Sequence, residues 1–198
     1  MENQITFNVE ELNSIIAHRR SILPNLYTGE VIDDSIINRI IANANWAPTH
    51  KHTEPWRFIV FKGDGLKKLG DFQSELYKKV STQAGDFNEE KYLKLKGKPL
   101  KASHVIAIGM KRNEKELVPE IEEIAAVACA VQNMYLTATA YGIACYWGTG
   151  GITYMEEAKE FFGLGEKDRF MGFFYTGIPK KWVSGKRGPV EEKTTWVH

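Results

Sequence analysis

The residues best equipped for chemistry lie together in Trp46-Ala47-Pro48-Thr49-His50-Lys51-His52-Thr53-Glu54-Pro55-Trp56-Arg57-Phe58. Two prolines forbid helix here, because the ring removes an N–H and restricts the residue before it. The backbone N–H groups of Thr49, His50 and Lys51 therefore owe nothing to a helix or a sheet ladder. They sit beside two imidazoles, two indoles and basic side chains. An irregular, donor-rich, aromatic segment suits a flat, polar, anionic ligand. A second chemistry is open to the same residues. His50, His52 and Glu54 alternate, so an extended chain would point all three one way, and such a set could ligate zinc or iron. No further His or Cys cluster stands ready to complete that site.

Two other stretches carry usable groups. Arg19-Arg20-Ser21 ends the first predicted helix; by itself, basic charge there complements the helix C-terminus. Gly148-Thr149-Gly150-Gly151 follows a strand, but it lacks the third glycine of a dinucleotide fingerprint and the next helix is short. Its free N–H groups can still face a ring edge. There is no GxSxG motif, and neither cysteine has an electropositive setting. Lys94, Lys96, Lys98 and Lys101 read equally well as a solvated face or as a cationic one.

These groups must be positioned by elements that hydrophobic periodicity marks. Asn8 to Glu11 has the form of a capping box before a helix with Leu12, Ile15 and Ile16 on one face. Asp33, Asp34 and Ser35 open a second helix with an isoleucine stripe, which ends at Ala47-Pro48. Pro55–Lys62 is a strand closed by Gly63-Asp64-Gly65. Leu66, Leu69, Phe72, Leu76 and Val80 fit a third helix. Residues 81–98 are polar and predict a mobile segment or lid with a short helix. Ser103–Met110 is a buried strand. Glu120–Tyr141 is a helix apolar nearly all round, hence buried, and such a helix calls for cover from a second subunit. Gly142 caps it. Ile143–Trp147 and Arg169–Thr176 are strands, with a capping box at Thr153-Tyr154-Met155-Glu156 and a short helix to Gly163 between them. The tail from Gly177 holds Pro179, Pro189 and a β-like Thr194–Val197. The order α α β α β α β α β, with a variable segment after the third helix, predicts one domain over 1–198, an α+β or α/β sandwich and not a regular doubly wound sheet.

Composition narrows the partners. The chain has 198 residues, 43% hydrophobic and 12% aromatic, with a net charge of +1. That gives no electrostatic case for nucleic acid or a membrane surface. No apolar run approaches the roughly 20 residues of a bilayer span, and Met1 to Asn8 holds no signal core. Cys129 and Cys145 read as buried thiols of a reducing compartment. A soluble, cytoplasmic protein is expected.

Taken in order, four pieces resemble the nitroreductase family of FMN-dependent oxidoreductases, its short YdjA-like branch in particular. They are Arg19-Arg20-Ser21, Ala47 to Phe58, Ala126 to Trp147 with its Gly142 break, and Gly172-Phe173-Phe174-Tyr175-Thr176-Gly177-Ile178-Pro179. The resemblance runs from about Ile15 to Trp196. It implies a three-layer sandwich, a small, mostly antiparallel sheet between helices, and a homodimer with two FMN sites at the subunit interface. Arg19, Arg20 and Ser21 would grip the phosphate and the polar flavin edge, since arginine supplies fork-shaped, charge-assisted donors. Pro48, Thr49, His50 and His52 match a loop reaching in from the second subunit. Trp147, Gly148, Thr149 and Gly150 match the loop along the isoalloxazine edge, where an N–H meets flavin N5. Arg187 resembles a C-terminal phosphate contact, and Lys98 is a further candidate for the same region. No side chain need act as catalytic acid or base, and no metal is implied. The resemblance implies ping-pong hydride transfer from NADH or NADPH through flavin N5 to a nitroaromatic or quinone. Two rivals stay open: a flavin-binding protein with another role, such as sensing, flavin fragmentation or dehalogenation, and a metal-binding protein using His50, His52 and Glu54.

Overall fold

A computed structural model describes residues 7–198; the polar Met1–Thr6 that enters the N-terminal reading lies outside the described residues. The helices are α1 Val9–His18, α2 Asp34–Ala44, α3 Asp64–Ala84, α4 Glu89–Gly97, α5 Glu120–Ala140 and α6 Ala158–Phe161. The strands are β1 Trp56–Lys62, β2 His104–Met110, β3 Ala144–Gly148 and β4 Arg169–Gly177. They form one sheet in the order β1-β2-β4-β3, antiparallel at every pairing. The expected α+β sandwich is what the chain builds. Among the described residues no helix is long and apolar enough to cross a membrane.

Side chains alternate across a strand, and here the alternation divides two cores. Ile106, Ile108, Cys145 and Phe174 face α2 and α5, packing on Ile37, Ile40, Val127, Val131 and Met134. Val105, Ala107, Phe173 and Tyr175 face α3 and α6, packing on Leu66, Leu69, Leu76, Tyr77, Ala158 and Phe162. Every residue of β2 is buried, as its unbroken apolar run requires.

The helix ends follow local chemistry. Asn8 accepts the Glu11 N–H at 3.1 Å, and Asp33 accepts that of Ser35 at 2.8 Å, so each satisfies an orphan donor of the first turn. Gly142, at φ +71°, closes α5 as a Schellman motif: Ile143 N–H reaches Ala138 O at 2.8 Å and Gly142 N–H reaches Thr139 O at 3.0 Å. That reversal starts β3 directly beneath α5.

Several expectations are corrected. Thr153 does not cap a helix; its Oγ1 donates to Gly150 O at 2.9 Å, and the helix starts later, at Ala158. Residues 81–98 hold the last residues of α3 and then α4, the short helix expected there. Thr194–Val197 forms no strand, and Trp196 and Val197 are exposed. Cys129 is exposed, and only Cys145 is buried. No residue of α1 is buried, so the stripe of Leu12 and Ile16 faces outward.

Ser103, His104 and Asp34 line up as a serine–histidine–aspartate chain. Ser103 Oγ lies 2.9 Å from His104 Nδ1, and His104 Nε2 lies 3.1 Å from Asp34 Oδ1. The hydroxyl is buried, and it accepts the Ile32 N–H at 2.7 Å. The chain ties the start of α2 to β2 and exposes no nucleophile.

Candidate functional site

The edge strand β3 organises the site. Ser21 pairs with Cys145 as a parallel bridge, and Ile22 N–H donates to Cys145 O at 2.9 Å. The segment after α1 therefore runs along the open edge of the sheet. Tyr27 pins it from behind, donating to Ile22 O at 2.8 Å. The Tyr27 ring lies against Gly177, where any Cβ would collide with it.

Tyr135 of α5 joins three of these parts. Its phenol oxygen accepts the Trp147 N–H at 2.7 Å and lies 3.2 Å from Ser21 Oγ. The phenol oxygen has lone pairs for both neighbours, so either hydroxyl can donate across the Ser21–Tyr135 pair. Burial raises the Tyr135 pKa, with the Ser21 and Trp147 hydrogen bonds pulling the other way. The phenol thus keeps its proton. The Arg19 guanidinium sits over the same ring, 5.1 Å from its centroid.

On the α3/α4 side of β3, two adjoining cavities of about 280 and about 410 Å³ share Lys94, Lys98 and Tyr146. Gly148, Gly150 and Gly151 line the first; Leu23, Pro24 and Asn25 line the second. Lys91, Lys94, Lys98 and Lys101 face these cavities, and no Asp or Glu does. Lys98 Nζ lies 4.5 Å from the Tyr146 ring centroid and 4.7 Å from that of Tyr175. Burial lowers its pKa, and Lys94 adds to the effect. A Cβ on Gly148 would stand 2.8 Å from the Tyr146 ring and 3.4 Å from Lys98 Nζ, so glycine keeps this wall thin.

Helix α4 carries Lys91 and Lys94 and leads into Lys98, and it is held by close backbone approach. A Cβ on Gly70 of α3 would strike the Lys96 carbonyl oxygen. Gly70→Ala should gain about 0.8–1.0 kcal/mol of helix propensity. Overpacking typically costs ~1–3 kcal/mol, and a main-chain oxygen cannot rotate away as a side chain would. The clash should win. The variant is expected to lose ~1–2 kcal/mol of stability and to show faster amide exchange confined to α3 and α4. Unchanged exchange in α4 would mean that Gly70 does not set its position.

The proline-bounded loop lies elsewhere. His50–His52 forms a tight turn with non-helical backbone at Lys51, so the extended geometry assumed for His50, His52 and Glu54 does not occur, and the described residues contain no cluster of metal-ligand side chains. Lys51, His52 and Glu54 take φ of +52°, +53° and +41°, a strained arrangement for residues with side chains. Thr49 Oγ1 braces the loop, lying 3.1 Å from Thr53 Oγ1 and accepting the Glu54 N–H at 3.2 Å. His50 Nδ1 meets Glu122 Oε2 at 2.5 Å, and Lys51 Nζ donates to Leu117 O at 3.0 Å. The loop is thus docked on the start of α5.

The expected site residues therefore separate. Ser21, Arg19 and Trp147 join through Tyr135, while Lys98, Gly148 and Gly150 share the first cavity. Thr149 and Trp147 line a separate cavity of about 460 Å³ with Tyr154 and Arg169. Pro48, Thr49, His50 and His52 line none of these cavities. Arg20 Nη1 donates to Ala17 O at 2.6 Å and Arg19 O at 2.8 Å, capping α1, while its Nε is buried without a partner. Arg187 is exposed and bonds only to the adjacent Lys186 O. Sequence reasoning missed Gln73, Leu95, Tyr146 and Tyr175. The one legible signal was a glutamine on the apolar face of α3.

The fold and site define a class: a small α+β protein whose sheet edge carries a cationic, aromatic-walled slot. The family model described as Nitroreductase family matches residues 16–178, and the chain belongs to the nitroreductase family. It is 30% identical over 186 residues to the Bacillus subtilis protein named "Putative NAD(P)H nitroreductase YfhC", covering 93% of each chain. It is 31% identical over 134 residues to the Escherichia coli protein named "Putative NAD(P)H nitroreductase YdjA", covering 68% of this chain and 70% of that one. A nitroreductase-like family protein from Bacillus cereus superposes with a TM-score of 0.78 at 27% identity, over 98% and 99% of the two chains. A Desulfovibrio desulfuricans relative, whose structure is described as a complex with FMN, has the same fold, with a TM-score of 0.73 at 23% identity over 98% and 99% of the two chains.

Proposed function

We propose that the protein is an FMN-dependent oxidoreductase that passes reducing equivalents from NAD(P)H to an electron-poor small molecule such as a nitroaromatic or quinone. The observation that carries this reading is the pair of lysine-lined cavities beside the glycine turn of β3, in a chain of the nitroreductase family. Bound FMN would supply the redox chemistry, taking hydride at N5 and returning it to the acceptor.

The residues present fit that group. Tyr146, Tyr175 and Phe173 offer ring surfaces to a planar heterocycle. Lys98 and Lys94 face the same space with no carboxylate to neutralise them, so they favour negative charge on a ligand. Gly148 and Gly150 let a ring edge approach the backbone of the β3 turn. The Ser21 hydroxyl lies at the sheet edge beside Tyr135, and the orphaned Nε of Arg20 lacks an acceptor. Arg19, Arg20 and Arg187 are the cations we assign to the phosphate end.

The reading includes a homodimer. Leu12, Ile16, Trp46, Ile121 and Tyr141 are exposed, Trp46 by 85%. A groove of about 400 Å³ between α1, α2 and α5 is lined by Leu12, Ile15, Leu136 and Ala140. Apolar surface of this kind marks an interaction site. In a dimer, Pro48, Thr49, His50 and His52 of one copy would complete the slot of the other, which accounts for a strained loop that lines neither of the lysine-lined cavities of its own chain.

The test is direct. Purified protein should be yellow, elute at twice the chain mass, bleach under anaerobic NAD(P)H and recolour when a quinone is added. A monomeric, colourless protein that takes up no FMN would remove the proposal. A yellow protein that no nicotinamide bleaches would keep the cofactor and remove the reaction.

A further inference from the structure

Gln73 occupies the buried stripe of α3, in helical register with Leu66, Leu69 and Leu76. It is 2% exposed, and its Nε2 makes no hydrogen bond. Buried amide donors are nearly always satisfied, and an unpaired one is costly. The side chain lies beside the Tyr175 hydroxyl and lines the smaller cavity together with Lys98, Tyr146, Tyr175 and Gly148. None of the cavity's lining residues is a carboxylate. A carboxamide has two N–H donors; the Tyr175 oxygen, whose pKa the amide pulls down against burial, is the acceptor nearby for one of them, and a ligand can bring an acceptor for the other.

We propose that Gln73 is a further cofactor-positioning residue, whose amide N–H donates to a carbonyl oxygen on the pyrimidine edge of the flavin. This rests on the flavin reading above. The setting selects that edge over the phosphate. The walls beside Gln73 are aromatic rings and glycine backbone, which suit a planar heterocycle, whereas a phosphate calls for the forked donors of arginine. Lys98 brings positive charge to the same cavity. Reduced flavin carries negative charge near N1, which spreads onto the pyrimidine carbonyls, so a donor and a cation at this edge stabilise the reduced form more than the oxidised one. The desolvation of the amide is already complete in the empty fold, so the contact forms without further ordering of α3.

The experiment titrates apoprotein with FMN and, separately, with riboflavin, following flavin fluorescence, for wild type, Gln73→Leu and Gln73→Glu. A single neutral hydrogen bond sets the scale, so Gln73→Leu is expected to bind both flavins roughly three- to tenfold more weakly. Its flavin midpoint potential should be more negative than that of wild type. The Leu apoprotein should melt no lower than wild type, because the change deletes an unsatisfied buried donor. Gln73→Glu replaces the donor with an acceptor that pairs with Lys98, and should bind more weakly still. Unchanged affinity for both flavins overturns the assignment. So does a loss seen with FMN alone, which would put Gln73 at the phosphate end, or a lowered apoprotein melting point with an unmoved potential, which would make it a packing residue. Wild-type protein that binds neither flavin overturns the flavin reading itself, an outcome visible before any variant is made.

Discussion

Lys98→Met is expected to weaken FMN binding by about ten- to a hundredfold, the equivalent of ~1.5–3 kcal/mol for hydrogen bonds to a charged group. Methionine keeps much of the apolar stem that fills the gap between Tyr146 and Tyr175, so the loss should report the charge. Lys98 makes no ion pair among the described residues and is held over two aromatic rings, with its pKa lowered by burial and by Lys94. The sign of the pH effect follows. A lysine whose folded pKa lies below its unfolded one binds fewer protons in the native state across that window. Apoprotein stability therefore rises with pH between the two values. Affinity for a flavin with negative charge at its edge moves the opposite way, falling as pH climbs through the pKa of Lys98, earlier than an ordinary lysine would allow. Titrations of wild type and Lys98→Met at neutral and alkaline pH check both points. A methionine variant with wild-type affinity, or a wild type whose affinity holds steady through the lysine range, would remove Lys98 from the site.

Glu123→Ala is expected to cost about 3–5 kcal/mol of stability, the range for removing one partner of a buried ion pair. Glu123 is 1% exposed. Its carboxylate receives Arg112 Nη1 and the Asn113 N–H at 3.1 Å, while Arg112 N–H donates to Asp168 Oδ1 at 2.8 Å. Alanine would leave a guanidinium whose side chain is only 11% exposed with the half-exposed Glu116, 3.9 Å away, as its remaining carboxylate, and would leave a backbone donor unpaired. Glu123 also sits in the first turn of α5, where negative charge suits the helix terminus. The damage should reach the site, because α5 carries Tyr135 and Tyr135 holds Ser21 and the Trp147 backbone. For a chain of this size each kcal/mol moves the melting point by about 2–4 °C, so a drop of roughly 10 °C is expected. Urea unfolding that shows less than about 1 kcal/mol of loss would mean that the pair is dispensable.

The strands and the main helices were legible because each rests on local chemistry. The capping aspartate and asparagine, Gly142 after α5 and the apolar run of β2 act within a few residues of themselves. The family was legible for a related reason: its four motifs are read along the chain. The short helix before Gly163 was misplaced because Thr153 has a nearer carbonyl to serve, that of Gly150, than the helix it was expected to cap.

Sequence by itself settled which residues share a face and where each element must stop. Only the tertiary structure decided what covers each face. Periodicity marks Leu12 and Ile16 as a stripe and α5 as apolar all round, yet α1 buries nothing and Cys129 lies open, because burial depends on neighbours contributed from distant parts of the chain. The same holds for the slot. Gln73 in α3 and Lys98 just after α4 are ordinary residues of polar-looking stretches until the turn after α3 folds α4 back and Gly70 admits the Lys96 carbonyl. Convergence of that kind is a property of packing, and no local preference encodes it.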